Sequence, residues 1–365
     1  MNFDFSDEQS LLKEAADRWS ADNGGLAKGA AAPDTAWREM AELGWLSLGF
    51  DPALGGLGEG DVETMLLGEA FGANLVRTPF YSTVVLCGAL LSRLGSAVQK
   101  ACFLPAIMAG EAVFAFAGAE PGRRYAFDAA TTVARVTGNG FVLRGEKQVV
   151  FDAAVADYFI VSAAVEGERG TRLFIVDSRA DGVEPRHFTT TDGGQASDLV
   201  LREVAVAADA LLGDGDALAT IEMAADRAIA AWCADAVGGM DHLLRATAEH
   251  LQTRRQFGVP IGKFQALAHR MADLLVELEL ARSMAIFATL SLGAADAERK
   301  RAISQAKQQV IHAARCIGRQ AIQLHGGMGM TNEFHVGHYF KRLLVFETRF
   351  GDASYHADRI DAVAV

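Results

Sequence analysis

Three long stretches of helical period close this chain, and they constrain its fold more than any other feature. Apolar residues recur at helical spacing over 217–250, 263–292 and 297–323, with short connections between the stretches. Helices of that length joined by short links pack side by side as an up-and-down bundle. The texture ahead of them differs. Residues 131–136 and 141–144 flank Gly138-Asn139-Gly140 as a β-hairpin does. Residues 158–163 and 172–177 flank a polar loop, and 198–206 alternate like a half-buried strand. Short strands without long helices between them predict a small antiparallel barrel or sandwich over about 111–215.

The first 110 residues return to helical period. Ser6 stands at capping-box spacing from Gln9, ahead of an amphipathic run through Trp19. Asp34 is placed to cap a second helix that runs through Leu43 and stops at Gly44. The stretch 51–60, DPALGGLGEG, is a loop by its Pro and Gly content. Mostly apolar patterns over 61–71, 82–94 and 97–108 read as buried helices, and 352–360 closes the chain. The expected organisation is a helical domain over 1–110, a β domain over 111–215 and a helical bundle over 216–365.

The chain has 365 residues, half of them hydrophobic, enough for a large core. No apolar run is long enough for a membrane span. A net charge of −12 argues against a general nucleic-acid binder, which needs clustered Lys and Arg. Cys87, Cys102, Cys233 and Cys316 form no CxxC pair, so neither a zinc site nor a disulfide framework is indicated. His335 and His338 read as a surface pair without a third metal ligand. The acidic start, MNFDFSDEQ, lacks the regions of a signal peptide, and a cytoplasmic location is expected.

Four motifs recur along this order. They are FDFSDEQ at the start, DPALGGLGEGDVE at 51–63, TRRQFGVPIGKFQ at 253–265 and QLHGGMG at 323–329. Together they resemble the acyl-CoA dehydrogenase family almost end to end. The resemblance implies an N-terminal α-helical domain, a central β-barrel and a C-terminal four-helix bundle. It also implies FAD as cofactor, an acyl-CoA thioester as substrate, and assembly as a dimer or dimer of dimers. An electron-transfer flavoprotein is a further implied partner. By the same resemblance, Arg254 meets the FAD pyrophosphate of a neighbouring subunit, a contact suited to a planar cation. Phe257 packs near the adenine, and Gln323, Gly326 and Gly327 hold the adenosine part. Arg123 and Arg124 fall where the family's CoA-side loop lies.

The family's reaction is α,β-dehydrogenation, in which a carboxylate removes the α proton while hydride leaves to the flavin. The usual base is a Glu before a Gly-Thr pair. In this chain that position is Phe350, followed by Gly351-Asp352. The alternate position, at the start of the first bundle helix, is Ala228, and a two-residue shift brings in Asp226. Glu347, Asp352 and Asp235 are further carboxylates. The family's flavin-binding Thr falls on Ala119, and its Trp and Thr after Gly145-Glu146-Lys147 fall on Val149 and Phe151. The adenosine contacts are therefore kept and the flavin-ring contacts are lost. A homodimer needs both halves of the site in one sequence, whereas a heteromer divides them. The resemblance thus points to the smaller, degenerate subunit of a heteromeric acyl-CoA dehydrogenase paired with a catalytic paralogue. Two alternatives stay open. One is a self-sufficient homo-oligomer with an atypical base such as Asp226. The other is a non-dehydrogenase relative, either structural or a monooxygenase.

Overall fold

The structure is a computed structural model and describes residues 5–25, 33–58, 60–128, 131–331 and 333–363. The expectations that rest on Phe3, Asp4 and Glu59 lie outside these residues. The chain forms two compact units: residues 1–31, 61–77 and 229–365 in one, residues 32–60 and 78–228 in the other.

The first unit is helical. Ser6 accepts from the Gln9 amide at 3.2 Å, and the Gln9 side chain accepts from the Ser6 amide at 3.1 Å. That reciprocal cap starts α1 (Asp7–Asn23). α3 (Asp61–Ala73) presents Met65, Leu66 and Leu67 to the interior. It meets the later part of the long helix α6 (Leu218–Thr253) at glycines. A Cβ on Gly72 would lie 1.8 Å from the Asp235 carbonyl oxygen, and one on Gly238 would lie 1.9 Å from that of Glu69. The two backbones approach this closely only because both positions lack side chains. α7 (Gln265–Leu290) and α8 (Asp296–His325) pack along each other, and α9 (Val336–Thr348) and α10 (Ala353–Val363) pack on α8. The bundle expected from the long periodic runs is therefore present.

The second unit holds α2 (Pro33–Glu42), α4 (Gly88–Leu94), α5 (Ala97–Met108) and the sheet. Asp34 does not cap α2. Pro33 begins that helix, as its fixed φ and missing N–H suit the first turn, so Asp34 sits inside it. Gly44 adopts φ 77 just past the helix end, where a stop was expected. The helix predicted over 82–94 opens with a fully buried π-helical turn, Tyr81–Cys87, before α4.

The strands are β1 (Phe114–Ala117), β2 (Val133–Thr137), β3 (Gly140–Phe151), β4 (Tyr158–Val165), β5 (Arg172–Asp177), β6 (Val183–Thr189), β7 (Gln195–Ala207) and β8 (Leu211–Leu212). They form one eight-stranded sheet in the order β6-β7-β3-β2-β4-β5-β8, with β1 also on β4. The hairpin β2–β3 turns at Gly138-Asn139 as expected. The sheet is not purely antiparallel, because β1 and β2 both meet β4 in parallel. Each reaches β4 through a longer connection, which a parallel pairing requires. The sequence reading missed β6. It contains Pro185, and it lies at a sheet edge, where a missing N–H is tolerated.

Two buried charged groups meet at this sheet. Lys147, from Gly-Glu-Lys, is fully buried and donates to Glu120 at 2.9 Å and to Ser162 at 2.9 Å. Glu120 also accepts from the amides of Thr131 and Thr132, each at 2.9 Å. Burial pushes the Glu120 carboxyl up, but Lys147 and those amides outweigh it and hold it well below the usual range. Burial likewise lowers the Lys147 ammonium to about 8 against the pull of Glu120.

Candidate functional site

The residues expected to hold an adenosine diphosphate lie around one end of the helical unit. Arg254 follows α6, its amide donating to His250 at 2.9 Å and its carbonyl accepting from Ile261 at 2.8 Å. A small hairpin comes next, β9 (Arg255–Gln256) with β10 (Val259–Pro260). At its tip Phe257 adopts φ 51 and is 91 % exposed, its ring edge-on to Phe264 at 6.2 Å. At the end of α8, Gln323 is exposed and Gly326 turns the chain with φ 62 and ψ −140. A Cβ added at Gly326 or Gly327 would meet nothing within 4 Å, so the turn presents open backbone. The ends of α6 and α8 are joined by the His250 and His325 rings, whose centroids lie 4.4 Å apart. His325 donates through Nδ1 to the Ala321 carbonyl at 2.8 Å. An exposed guanidinium, an exposed ring and open glycines are donors and surfaces that fit a dinucleotide presented from outside.

The turn after α9 is built differently. Phe350 has φ 55 and Gly351 φ 125. A Cβ on Gly351 would lie 2.3 Å from Tyr355 and 2.6 Å from His356, so only glycine fits there. Beneath the turn Lys307 is fully buried, donating to the Phe346 carbonyl at 2.6 Å with its ammonium 3.5 Å from the Phe346 ring centre. Burial lowers Lys307 to about 7. Arg342 grips Asp235 through two hydrogen bonds, one of them at 2.7 Å. Arg349 stacks over Trp232 at 3.8 Å. His356 is fully buried, and burial holds it down at about 3.

The carboxylates noted near this segment have structural partners. Asp235 is bound to Arg342, Glu347 to Arg315, and Asp352 accepts from the Tyr355 amide at 2.9 Å as α10 begins. Asp226 and Ala228 both lie on α6 and are buried. Phe350 itself offers no acid or base. On the sheet, Val149 adopts φ 52 and Phe151 ends β3, so neither position supplies a hydroxyl to a ring system. Of the basic pair on the loop before β2, Arg123 bonds to Asp128 at 2.5 Å and Arg124 lies 5.7 Å from the Tyr125 ring.

The sequence reading missed a cluster of imidazoles beside the Gly-rich turn. His242 stacks on Tyr339 at 4.4 Å and meets His335 edge-on at 5.6 Å. His335 packs on Phe334 at 4.8 Å, and Phe334 on His325 at 5.1 Å. His335 is thus half-buried in this cluster rather than a surface group. Burial lowers all four histidines, His242 to about 4. The signal in sequence was His242 and His250 eight residues apart on one helical face. Among the described residues no group of three or more side chains is arranged to hold a metal ion.

This architecture, helices and a central sheet followed by a helical bundle with a glycine-rich turn after α8, defines a flavoenzyme class. Family profiles match along the chain: acyl-CoA dehydrogenase N-terminal domain over residues 6–111, middle domain over 115–204 and C-terminal domain over 213–364. The chain belongs to the acyl-CoA dehydrogenase family. It is accordingly an oxidoreductase whose cofactor is FAD. It is 29 % identical over 346 residues to the acyl-CoA dehydrogenase FadE12 of Mycobacterium tuberculosis, covering 91 % of this chain and 89 % of that one. Among solved structures, the Tcur3481–Tcur3483 steroid ACAD superposes with a TM-score of 0.86 at 28 % identity, covering 98 % of this chain and 97 % of that one. The ChsE4–ChsE5 complex of Mycobacterium tuberculosis superposes with a TM-score of 0.88 at 24 % identity, covering 99 % and 98 %. Among the described residues no helix is long and apolar enough to cross a membrane.

Proposed function

We propose that this chain is the non-catalytic subunit of a heteromeric, FAD-dependent acyl-CoA dehydrogenase, paired with a paralogue that carries the base. One observation carries the reading. The turn that holds a carboxylate in the family is kept by Lys307, His356 and Gly351, yet its reacting position is Phe350. Phenylalanine cannot take a proton. The surface formed by Arg254, Phe257, Gln323, Gly326 and Gly327 is the half that this chain contributes. Arg254 meets pyrophosphate, Phe257 covers the adenine, and Gln323 with the two glycines holds the adenosine end of the partner's FAD. That cofactor, when bound, supplies the hydride acceptor. The chain's own residues orient it and exclude water. Two of the solved structures are named as pairs, Tcur3481–Tcur3483 and ChsE4–ChsE5, which supports a divided site. The first of those names includes "steroid ACAD", which supports a bulky acyl-CoA as substrate.

The division into residues 1–110, 111–215 and 216–365, a cytoplasmic location and electron transfer to an electron-transfer flavoprotein belong to the same proposal. A second reading rests on Asp226, fully buried on α6 two residues from the alternate base position. In that reading the chain is a self-sufficient homo-oligomer. The deciding experiment is expression of the chain alone and together with a paralogue. Assays use acyl-CoAs and an artificial electron acceptor. A chain that is yellow, homodimeric and active by itself overturns the heteromer, and loss of that activity in Asp226→Asn would establish the second reading.

A further inference from the structure

Lys307 rises from α8 into the interior of the helical unit and is fully buried. Its ammonium donates to the Phe346 carbonyl at 2.6 Å and lies 3.5 Å from the centre of the Phe346 ring. The same carbonyl accepts from the Arg349 amide at 3.2 Å, the hydrogen bond that ends α9. The last turn of α9 has no basic residue of its own, so Lys307 supplies from α8 the cation that a helix C-terminus favours. The chain directly after this cap is held in an unusual shape. Phe350 takes φ 55, which a bulky side chain adopts only where its surroundings impose it. Gly351 follows with φ 125, close against Tyr355 and His356. Arg349, between cap and turn, lies 3.8 Å over Trp232.

The groups that face Lys307 come from α6, α9 and α10. Burial lowers Lys307 itself to about 7, with Cys233 and Glu347 opposing and Arg349 adding to the effect. Cys233 is a thiol pushed up to about 12 by burial, and His356 is held neutral by burial at about 3. Both therefore keep their charge state across neutral pH, and Arg349 stays a cation. Glu347 is bound by Arg315 at 2.9 Å, and Arg359 and Asp352 stand by His356. Loss of the Lys307 proton turns a charge-assisted hydrogen bond into an ordinary one and ends the cation–π contact. Both changes fall on the residue that closes α9.

We propose that Lys307 is a proton latch on the turn after α9: its ammonium clamps Phe346 and fixes the Phe350–Gly351 conformation, and loss of the proton releases that conformation. The latch belongs to the chain itself and does not depend on which subunit carries the base. Its local and global effects run in opposite directions. Lys307 holds its proton less tightly in the folded state than in the unfolded one, where the value is about 10.4. The stability it contributes is therefore complete above about pH 10.4 and is lost as pH falls toward 7. The turn loosens as pH rises through 7.

The test uses the full chain and reads the turn itself, with neither flavin nor activity. Amide hydrogen exchange over residues 346–352 is corrected for the pH dependence of the intrinsic rate. It is expected to speed up about tenfold from pH 6 to pH 8.5, the worth of a charge-assisted hydrogen bond, while exchange in α1 stays the same. Trp232 fluorescence, isolated by difference from Trp232→Phe, should change with a single midpoint near pH 7 as Arg349 leaves its ring. Lys307→Met removes the titrating group. It should exchange rapidly over 346–352 at both pH values and lose the fluorescence transition. Lys307→Gln, uncharged but still a donor, gives the same comparison, and thermal melts verify that each variant folds. The wild-type measurements decide by themselves. Exchange over 346–352 that is equal at the two pH values or slower at pH 8.5 overturns the proposal, and so does a transition near pH 7 that survives in either variant.

Discussion

Single residues in this chain divide between those that keep a frame and those that have left a site. Glu120 and Lys147 belong to the frame. Each is almost wholly buried, so each depends on the other to offset the loss of water. Glu120→Gln leaves an ammonium buried without its charge partner. The expected loss is about 3–5 kcal/mol, read from urea unfolding of the full chain. His356 gives a pH-dependent counterpart. Its folded value, about 3, lies below that of an unfolded histidine, so the folded state binds fewer protons between them. Stability from this group is therefore complete above about pH 6.5 and is lost as pH falls toward 3. The groups around it are Lys307, Arg359 and Asp352, with Ser304 hydrogen-bonded to its ring. The urea midpoint should fall between pH 7.5 and pH 4.5, and His356→Gln should flatten that slope. An unchanged slope in the variant would remove His356 from the account.

At the scale of elements, the crossing of α3 and α6 is the least forgiving contact. Gly72 and Gly238 meet the partner helix backbone reciprocally, and neither contact has a flexible side chain that can yield. Gly72→Ala forces the two helices apart and is expected to destabilise by about 3 kcal/mol or more, measured by thermal and urea unfolding. Glycine inside a helix normally costs about 1 kcal/mol against alanine, so a stabilised Gly72→Ala variant would contradict the crossing. This contact shows why elements were legible in the sequence and their meeting points were not. The bundle helices announced themselves by period, because each buries one face. The capping box at Ser6 was equally local. β6 was hidden because Pro185 is tolerated only through its place at a sheet edge, which no local pattern encodes. The cap misassigned to Asp34 is of the same kind, decided by Pro33 beside it. The motif segments from Arg254 and Gln323 were visible from residue type and order. The imidazole cluster was not, since His242, His250, His325 and His335 come together only when α6 and α8 end side by side.

For the whole molecule, the question is what the proposed cofactor surface means beside Phe350 at the proposed base position. A chain that had lost all function would be expected to lose Arg254 and the open Gly326-Gly327 turn as readily as the flavin-side hydroxyls. In the proposed site the departures fall on one half only: Ala119, Val149, Phe151 and Phe350 stand at the positions proposed for the ring and proton side, while Arg254, Gln323 and the two glycines stand at those proposed for the adenosine side. A divided assembly accounts for that asymmetry, because each half is needed once per shared site. The expected outcome follows from the division. Expressed alone, the chain should retain little flavin; copurified with its paralogue, the complex should be yellow and active. Arg254→Ala in this subunit should then weaken flavin retention about tenfold or more, the value of a charge-assisted contact to phosphate. Phe350→Glu in the same complex should leave turnover unchanged, since the base belongs to the other subunit. A complex whose activity rises with Phe350→Glu, or whose flavin is indifferent to Arg254→Ala, would place the working site inside this chain after all.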